Sequence, residues 1–508
     1  MQRSTMKTIR YSLAVLLAVT TITSCDDFLD VPPKGAFLTE NYYANRDQAY
    51  GALIGVYDAL RKNTGGFENM LALMNAGSDD HVAGGGSASD GLQLHAFDDF
   101  TLTPDNMANS YWDDHYQGIF RANTLLSKIE PIEMDAGEKS RFIGEAKALR
   151  ALYYFNLVRM FRNIPLLLEP LTATNLYEAT QATPDAVYDQ IESDLIDAMA
   201  VLPPTVSGSE NGRLTKGAAQ ALLGKVYLYR GKNAEAAAQL AEVNGEPGST
   251  SIYGYKLLDN FSDLWVFSNV FNSESILECT HSNQSRNDWD FWGSGRDEGN
   301  TFNVMVGIRS YTRLNDASDA PPAMPGGWSF STFTQDFYDA IKDDPRFSAT
   351  VFDIAAYEEA GDVSYVHGHE DLGYYLNKFM PRPSDVSTLG GAQDLNYQQH
   401  SYIIRLADTY LMEAEALGAT GERAQALLDA VRARVGLPSI PVSMDAIKRE
   451  RRLELAGEGH RFFDLVRWGD AATVLAADGF VAGKNEILPI PTKEINGTQL
   501  KQNPGYEQ

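Results

Sequence analysis

Cysteine is almost absent from this 508-residue chain, which contains only Cys25 and Cys279. If Cys25 is committed to another modification, no internal disulfide can form. Cys279 is then predicted to be a small core residue rather than a reactive thiol.

Positive charge is also scarce, since 42 Lys and Arg residues face 68 Asp and Glu residues for a formal charge of −26. Removal of residues 1–24 takes away Arg3, Lys7 and Arg10 and no acid, which leaves about −29. Such a surface repels phosphate backbones, so the composition argues against nucleic acid as a partner.

Long apolar runs are confined to the N-terminus. Residues 11–22 are apolar and follow Lys7 and Arg10. The run is well short of the roughly 20 residues that cross a bilayer, so we predict a signal peptide over residues 1–24. No second run approaches spanning length, and we expect a chain held at a membrane without crossing it.

The cysteine at the predicted cleavage point has a role of its own. Residues 22–25, Ile-Thr-Ser-Cys, resemble a bacterial lipoprotein processing box. We therefore predict that Cys25 is lipidated, because several acyl chains anchor a protein stably whereas one alone is marginal. The alternative is an ordinary secreted protein in which Cys25 stands there by chance.

Motifs of common enzymes are missing too: there is no phosphate loop with its Lys, no dinucleotide fingerprint and no serine elbow. The ionic block 449–461 has carboxylates, arginines and a histidine that could do acid–base work. However, Glu450 and Glu454 are spaced i, i+4 beside Arg451 and Arg452, which suits a scaffold helix with paired charges. We expect no catalytic residue.

Metal-binding patterns are weak. His367-Gly368-His369 offers ligands on a loop without a second motif. The runs 79–81 and 98–99 supply oxygen ligands of the kind that a structural calcium prefers, but neither has a calcium-loop pattern. We expect solvated acidic surface there, and no cofactor.

Helical periodicity is the main structural signal that is present. Apolar residues recur at spacings of three and four along 149–161, along the pair 218–229 and 234–243, and along the pair 405–417 and 424–435. A further helix is predicted over 444–468. Small residues such as Gly224 let paired helices approach closely, as in tetratricopeptide repeats. The fold class is therefore predicted to be mainly α, a helical-repeat scaffold.

Two regions lack this periodicity, a short one at 77–105 and a long one at about 253–400. Both are rich in Gly, Asn, Asp and Ser, and they carry too many aromatic residues for disordered linkers. We predict ordered loops mounted on the helical scaffold.

Several blocks have a characteristic sequence: CDDFLD at 25–30, EAKALRALYYF at 145–155, AIKRERRLEL at 446–455, GHRFFDLVRWG at 459–469, LPIP at 488–491 and NPGY at 503–506. Together they resemble the SusD/RagB family of outer-membrane lipoproteins in Bacteroidetes. The resemblance implies a single SusD-like domain over 25–508. Its parts would be an N-terminal portion to about 240, a ligand-binding insertion at about 253–400 and a C-terminal helical portion from about 401.

The aromatic loops hold the candidate ligand site. Sugars present flat C–H faces edged by hydroxyls, so a sugar site needs exposed aromatic rings with polar groups at the rim. The candidates are Trp289, Trp292, Tyr311 and Trp328 for the rings, Arg313 and Asn315 for the rim, and His81, His95 and Phe97 for an opposing wall. Any one tryptophan could instead be a core anchor, and Trp328 stands close to a scaffold helix.

The resemblance also implies partners and a location. We expect a surface-exposed lipoprotein that binds an oligosaccharide and delivers it to a SusC-like, TonB-dependent outer-membrane transporter. Three alternatives stay open: a peptide-binding member of the family, a helical glycoside hydrolase with two carboxylates across a cleft, and a purely structural lid. The sequence does not choose the sugar, because the loops differ between members of the family.

Overall fold

Helices dominate the computed structural model, which describes residues 43–172, 176–291 and 298–507. The N-terminal helices are α1 Arg46–Tyr57, α2 Met70–Ala76, α3 Leu92–Asp98, α4 Ser110–Lys128, α5 Ala136–Phe161, α6 Pro184–Val201, α7 Lys216–Tyr229 and α8 Asn233–Asn244. Four short helices follow within the loop-rich region: α9 Thr301–Val306, α10 Gln335–Ile341, α11 Phe347–Thr350 and α12 Ile354–Glu359. The C-terminal helices are α13 Leu406–Ala416, α14 Gly421–Arg434, α15 Met444–Glu454, α16 Arg461–Trp468, α17 Ala471–Val474 and α18 Thr492–Ile495.

Polar caps begin many of these helices. The side chains of Asp135, Thr183 and Thr215 accept the backbone N–H three residues later, at the starts of α5, α6 and α7. Such a cap satisfies a donor that a helix leaves unpaired in its first turn. Pro184 at the first position of α6 loses no intrahelical hydrogen bond.

The long helices pack in chain order. Helices α4 to α8 each contact the next, and α8 then packs against α13, which contacts α14 and α15. A Cβ at Gly224 of α7 would lie 2.6 Å from Leu240 Cγ of α8, so the two backbones approach closely only because Gly224 has no side chain. The predicted helical-repeat scaffold is confirmed.

One predicted helix is wrong. The single helix predicted over 444–468 is two helices, α15 and α16, separated at residues 455–460. Gly457 and Gly459 in this break both have φ of +75°, a left-handed conformation that ends a right-handed helix.

The scaffold encloses a buried ionic cluster made by α15 and the segments packed on it. Arg405 is fully buried and donates to Glu274 (2.9 Å), Glu454 (2.7 Å) and Glu458 (2.8 Å). Arg346 donates to Glu450 (2.7 Å) and Glu454 (3.0 Å). The prediction that block 449–461 belongs to the scaffold is confirmed for the glutamates of α15, because their carboxylates form ion pairs with buried arginines.

The described residues of the loop-rich region are organised around three two-stranded antiparallel sheets. The strands are β1 Ser275–Cys279, β2 Thr312–Arg313, β3 Val351–Asp353, β4 Val363–Ser364, β5 Tyr374–Leu376 and β6 Ser401–Arg405, paired β1 with β6, β2 with β4 and β3 with β5. The β1–β6 pair closes the insertion, since β6 leads directly into α13 of the scaffold.

The main hydrophobic core runs from Ala49 to Ile490 and so joins the N-terminal, inserted and C-terminal segments. Cys279 is buried in it, and burial raises the pKa of its thiol to about 12, as expected of a core residue. Within the described ranges, every helix is too short or too polar to cross a membrane.

Candidate functional site

Two tryptophans from distant parts of the chain form an aromatic platform. Trp289 lies in the turn Trp289–Phe291 and is 45% exposed. Its ring centroid is 6.0 Å from that of Trp328, with an angle of 37° between the planes. Phe67 extends the row, because its ring lies 6.2 Å from Trp328. We name Phe67, Trp289 and Trp328 the aromatic platform.

Backbone hydrogen bonds to α9 and to the loop that follows it hold Trp328 in place. The Trp328 N–H donates to the carbonyl of Val304 (2.9 Å), and the Gly327 N–H donates to that of Ile308 (2.9 Å). A Cβ at Gly327 would lie 2.0 Å from the carbonyl carbon of Gly307. The two glycines therefore permit the contact that fixes the base of the platform.

The glycine run at 84–86 joins the N-terminal loop to the platform. The Gly85 N–H donates to the carbonyl of Ser329 (2.8 Å), and the Gly85 carbonyl accepts the N–H of His369 (2.8 Å). A Cβ at Gly84 would lie 2.3 Å from the Ser329 oxygen. Loops from 84–86, 327–331 and 366–369 thus meet in one seam beside the platform.

An ion pair lies at the rim of the platform. Arg309 donates through Nε to the carbonyl of Trp328 (3.0 Å) and through Nη2 to Asp90 (3.2 Å). Asp90 also accepts the N–H of Gly86 (2.8 Å). Both charged side chains are partly exposed, so they offer hydrogen-bonding groups next to the aromatic rings.

The opposing wall predicted from the N-terminal loop is largely buried. His81 and Phe97 are each 2% exposed, and His81 donates through Nδ1 to the carbonyl of Ser331 (2.8 Å) while its ring lies on Phe333. Burial lowers the pKa of His81 to about 4, so the ring is neutral. His95 is half-buried, with its ring 5.2 Å from that of His369. We therefore leave His81 and Phe97 out of the candidate contact surface.

The predicted rim residues serve a neighbouring loop instead of the platform. Arg313 donates to the carbonyls of Asn315 (3.0 Å), Asp316 (2.8 Å) and Ser318, which closes that loop on itself. The Asn315 side chain donates to Asp362 (2.7 Å). Their polar atoms are engaged within the protein.

Tyr311 belongs to the same neighbouring loop. It packs on a small hydrophobic cluster that includes Ile308 and Tyr375, and its hydroxyl donates to the carbonyl of Pro321 (2.5 Å). The structure thus brings Trp289 and Trp328 together and places Tyr311, Arg313 and Asn315 in a separate packing unit. Trp292 and Cys25 lie outside the described residues.

Three residues of the site were not predicted from the sequence: Phe67 of the platform, and Asp90 and His369 beside it. Each lies far along the chain from Trp289, and only His369 stands in a run that the sequence singles out, there as a weak metal-binding pattern. Only the glycine run 84–86 signalled that a close backbone approach would occur nearby.

The acidic runs considered for calcium are largely engaged by the scaffold. Asp79 accepts from Arg461 (2.7 Å), and Asp80 accepts from Arg452 (2.6 Å), so arginines neutralise this pair. In the described parts of the chain, no group of three or more His, Cys, Asp or Glu side chains is arranged to hold a metal ion.

Asp98 stands out electrostatically near the seam. Its Oδ2 accepts the N–H of Ala83 (2.7 Å), while burial and the nearby carboxylates of Glu370 and Asp99 raise its pKa to about 8. The Asp98 carboxyl is therefore largely protonated at neutral pH.

Two family models match the chain. One, described as the SusD family, matches residues 273–485, and the other, described as starch-binding associating with outer membrane, matches residues 28–228. Among related proteins, SusD-like protein P2 of Formosa agariphila is 25% identical over 98% of this chain and 100% of its own length.

Solved structures with the same fold include glycan-binding proteins. A laminarin-binding SusD-like protein is 60% identical, with a TM-score of 0.90, and the alignment covers 91% of this chain and 100% of that one. Surface glycan-binding protein A from Bacteroides thetaiotaomicron, solved in complex with laminarihexaose, is 25% identical, with a TM-score of 0.79 over 91% of this chain and all of that chain.

Proposed function

The chain belongs to the SusD family, and we propose that it is a surface lipoprotein that binds a laminarin-type oligosaccharide and delivers it to a TonB-dependent outer-membrane transporter. The observation that carries the proposal is the 60% identity to a laminarin-binding SusD-like protein over the whole of that chain. The ligand class is argued from this similarity and from the aromatic platform, because a fold alone does not determine a ligand.

The aromatic platform supplies the binding face. Trp289 and Trp328 lie 6.0 Å apart and tilted by 37°, so a sugar chain that curves across them can place a flat C–H face on each ring. Large rigid rings provide apolar contact area at a small cost in conformational entropy. The exposed ring of Trp289 would make the larger contribution.

The Arg309–Asp90 pair supplies orientation. A guanidinium donates and a carboxylate accepts, so the pair matches the two hydrogen-bonding roles of neighbouring sugar hydroxyls. Arg309 is held to the Trp328 carbonyl at 3.0 Å, which keeps its position fixed relative to the platform. Binding would therefore need little rearrangement of the rim.

Delivery rests on the anchor. Lipidation of Cys25 would hold the helical scaffold at the outer membrane, close to the mouth of the transporter. A tether raises the effective concentration of the two partners, so a modest protein interface suffices. Transport energy would come from the transporter, and this chain would bind without catalysing a reaction.

Titration calorimetry with laminarihexaose tests the proposal. The wild-type protein should bind, and Trp289→Ala should weaken binding about tenfold, or about 1.4 kcal/mol, because it removes one stacking face. Tyr177→Ala is the matched control, since Tyr177 is an exposed aromatic (58%) outside the platform.

Two results would contradict the proposal. If the wild-type protein gives no heat with laminarihexaose, laminarin-type oligosaccharides are excluded as its ligand. Equal losses for Trp289→Ala and Tyr177→Ala would place the binding face elsewhere. Release of new reducing ends during the titration would instead reveal an enzyme.

A further inference from the structure

A cavity that shares no residue with the aromatic platform lies beside the turns Phe261–Trp265 and Pro383–Asp385. Its volume is about 480 Å³, within the range of small-molecule sites. Polar groups line much of it, including several serines and the side chains of Asn377, Arg382 and Gln399. Trp265 forms part of the wall.

Arg382 is the unusual residue of this cavity. Arg382 is partly buried, and among the residues that the structure describes no carboxylate lies within ion-pair distance of its guanidinium, whereas the buried Arg346, Arg405 and Arg451 each have one. Its Nη2 donates to Asn377 Oδ1, its Nη1 approaches the sulfur of Met324 at 3.9 Å, and its Nε has no acceptor in the described chain. Burial lowers the pKa of Arg382, since desolvation of the cation is not offset by a direct ion pair.

Asp385 is the one acid of the cavity wall, and its oxygens are used by the turn that follows Arg382. Oδ2 accepts the backbone N–H of Arg382 (2.8 Å), and Oδ1 accepts the hydroxyl of Ser384 (3.1 Å). The carboxylate therefore stabilises the turn, and it leaves the guanidinium of Arg382 without a contact partner of opposite charge.

One buried donor among the residues that line the cavity has no acceptor in the described chain. Trp265 Nε1 is buried without an acceptor among the described residues. Gln399 is already satisfied, since its amide donates to the carbonyl of Lys378 (2.7 Å) and accepts from Asn303 (2.6 Å). Buried donors and unpaired cations are costly unless a partner satisfies them.

We propose that this cavity is an oxyanion site, in which the guanidinium of Arg382 binds the carboxylate of a uronic acid or the sulfate ester of a sugar. A planar guanidinium without a carboxylate partner matches the paired oxygens of either anion. The serines of the cavity wall would contact the hydroxyls of the attached sugar ring. A free inorganic anion offers the same oxygens, and the experiment below separates the two sources.

The oxyanion site shares no residue with the platform, although α9 contacts both. Asn303 of α9 donates to Gln399 of the cavity, whereas the carbonyl of Val304 accepts the N–H of Trp328. Because the two sites share no residue, removal of the anion should leave the affinity for laminarihexaose unchanged. Failure of the oxyanion site and failure of the proposed function would therefore give different results.

The test is calorimetric titration of the full mature chain with glucuronate, glucose 6-sulfate, sodium sulfate and glucose, in a buffer without phosphate or other oxyanions. We expect saturable binding of at least one anion, no binding of glucose, and at least a tenfold loss in Arg382→Met. Tighter binding of an acidic sugar than of inorganic sulfate would identify a saccharide ligand, and equal binding would identify a free anion. Laminarihexaose affinity should stay within twofold in the variant.

Two outcomes would overturn the oxyanion site: no saturable binding of any of the anions to the wild-type protein, or unchanged anion binding in Arg382→Met. The variant should fold, because it removes a partly buried cation that has no ion pair. If it does not, Arg382→Lys keeps the charge but loses the planar fork, and it should weaken anion binding rather than preserve it.

Discussion

At the residue scale, Asp98 gives a prediction whose sign depends on pH. Its pKa is raised to about 8 in the folded chain by burial and nearby carboxylates, against 3.8 when unperturbed. As the pH rises, the Asp98 carboxyl therefore loses its proton at a lower pH in the unfolded chain than in the folded chain. The contribution of Asp98 to the free energy of unfolding declines between about pH 4 and pH 8. The amide introduced by Asp98→Asn does not titrate, so the free energy of unfolding of the variant should rise relative to the wild type by about 3–4 kcal/mol between pH 5 and pH 8.

Urea unfolding at pH 5 and pH 8 measures this difference. Asp343→Asn, at an exposed position whose charge is not among those near Asp98, is the control and should change the free energy of unfolding little at either pH. A constant difference between Asp98→Asn and wild type at the two pH values would show that Asp98 is ionised throughout.

Single residues also show what sequence could and could not predict of the site. Trp289 and Trp328 were predicted because aromatic residues crowd polar loops, and the structure brings them together. The depth of His81 and Phe97 was not predictable, because a loop composition says nothing about which side chains the scaffold covers. Phe67 was missed since only tertiary packing brings it to Trp328.

At the scale of elements, helix α15 depends on the ionic cluster that its glutamates form. Although burial alone would raise the pKa of Glu454, the guanidinium groups of Arg434, Arg405 and Arg346 hold it well below its usual value. Arg405→Met would leave Glu274, Glu454 and Glu458 with fewer counter-charges in a buried setting. We expect a loss of about 3–5 kcal/mol in the free energy of unfolding.

Chemical denaturation of Arg405→Met and of Arg46→Met checks this prediction. Arg46 pairs with Glu138 at a more exposed site, where an ion pair contributes about 1 kcal/mol or less. Similar, small losses in both variants would mean that the buried cluster contributes no more than a surface pair.

The elements themselves were predictable where periodicity is strong. The pair 218–229 and 234–243 corresponds closely to α7 and α8, because apolar spacing and the Gly231 turn act locally. The helix predicted over 444–468 failed at Gly457 and Gly459, whose left-handed backbone outweighs the continuing periodicity. The short strands β2 to β5 have no sequence signal of their own, since two or three residues pair only after distant loops have met.

At the scale of the whole molecule, the account requires a lipid at Cys25, outside the described residues. Mass spectrometry of the mature protein from its native membrane should find an acylated N-terminal Cys25, and Cys25→Ala should release the chain from the membrane fraction. The same variant should bind laminarihexaose with unchanged affinity, because binding depends on the side chains of the platform and not on the anchor. A mature chain without fatty acid would contradict the anchor but not the binding site.

Whole-molecule architecture was predictable as a class and not as a geometry. Apolar periodicity predicted the helical scaffold and aromatic content predicted the ordered loops, while blocks such as 446–455 carried the resemblance to the family. The seam between residues 84–86 and Ser329 was not predictable, because it joins loops more than 200 residues apart through backbone groups alone.

The central claim is that this chain captures a laminarin-type oligosaccharide on the aromatic platform. The most direct test is a crystal structure of the protein with laminarihexaose. We predict sugar rings stacked on Trp289 and Trp328, with hydroxyls within hydrogen-bond distance of Arg309 or Asp90. Ordered sugar at another surface, with the platform bare, would contradict the account.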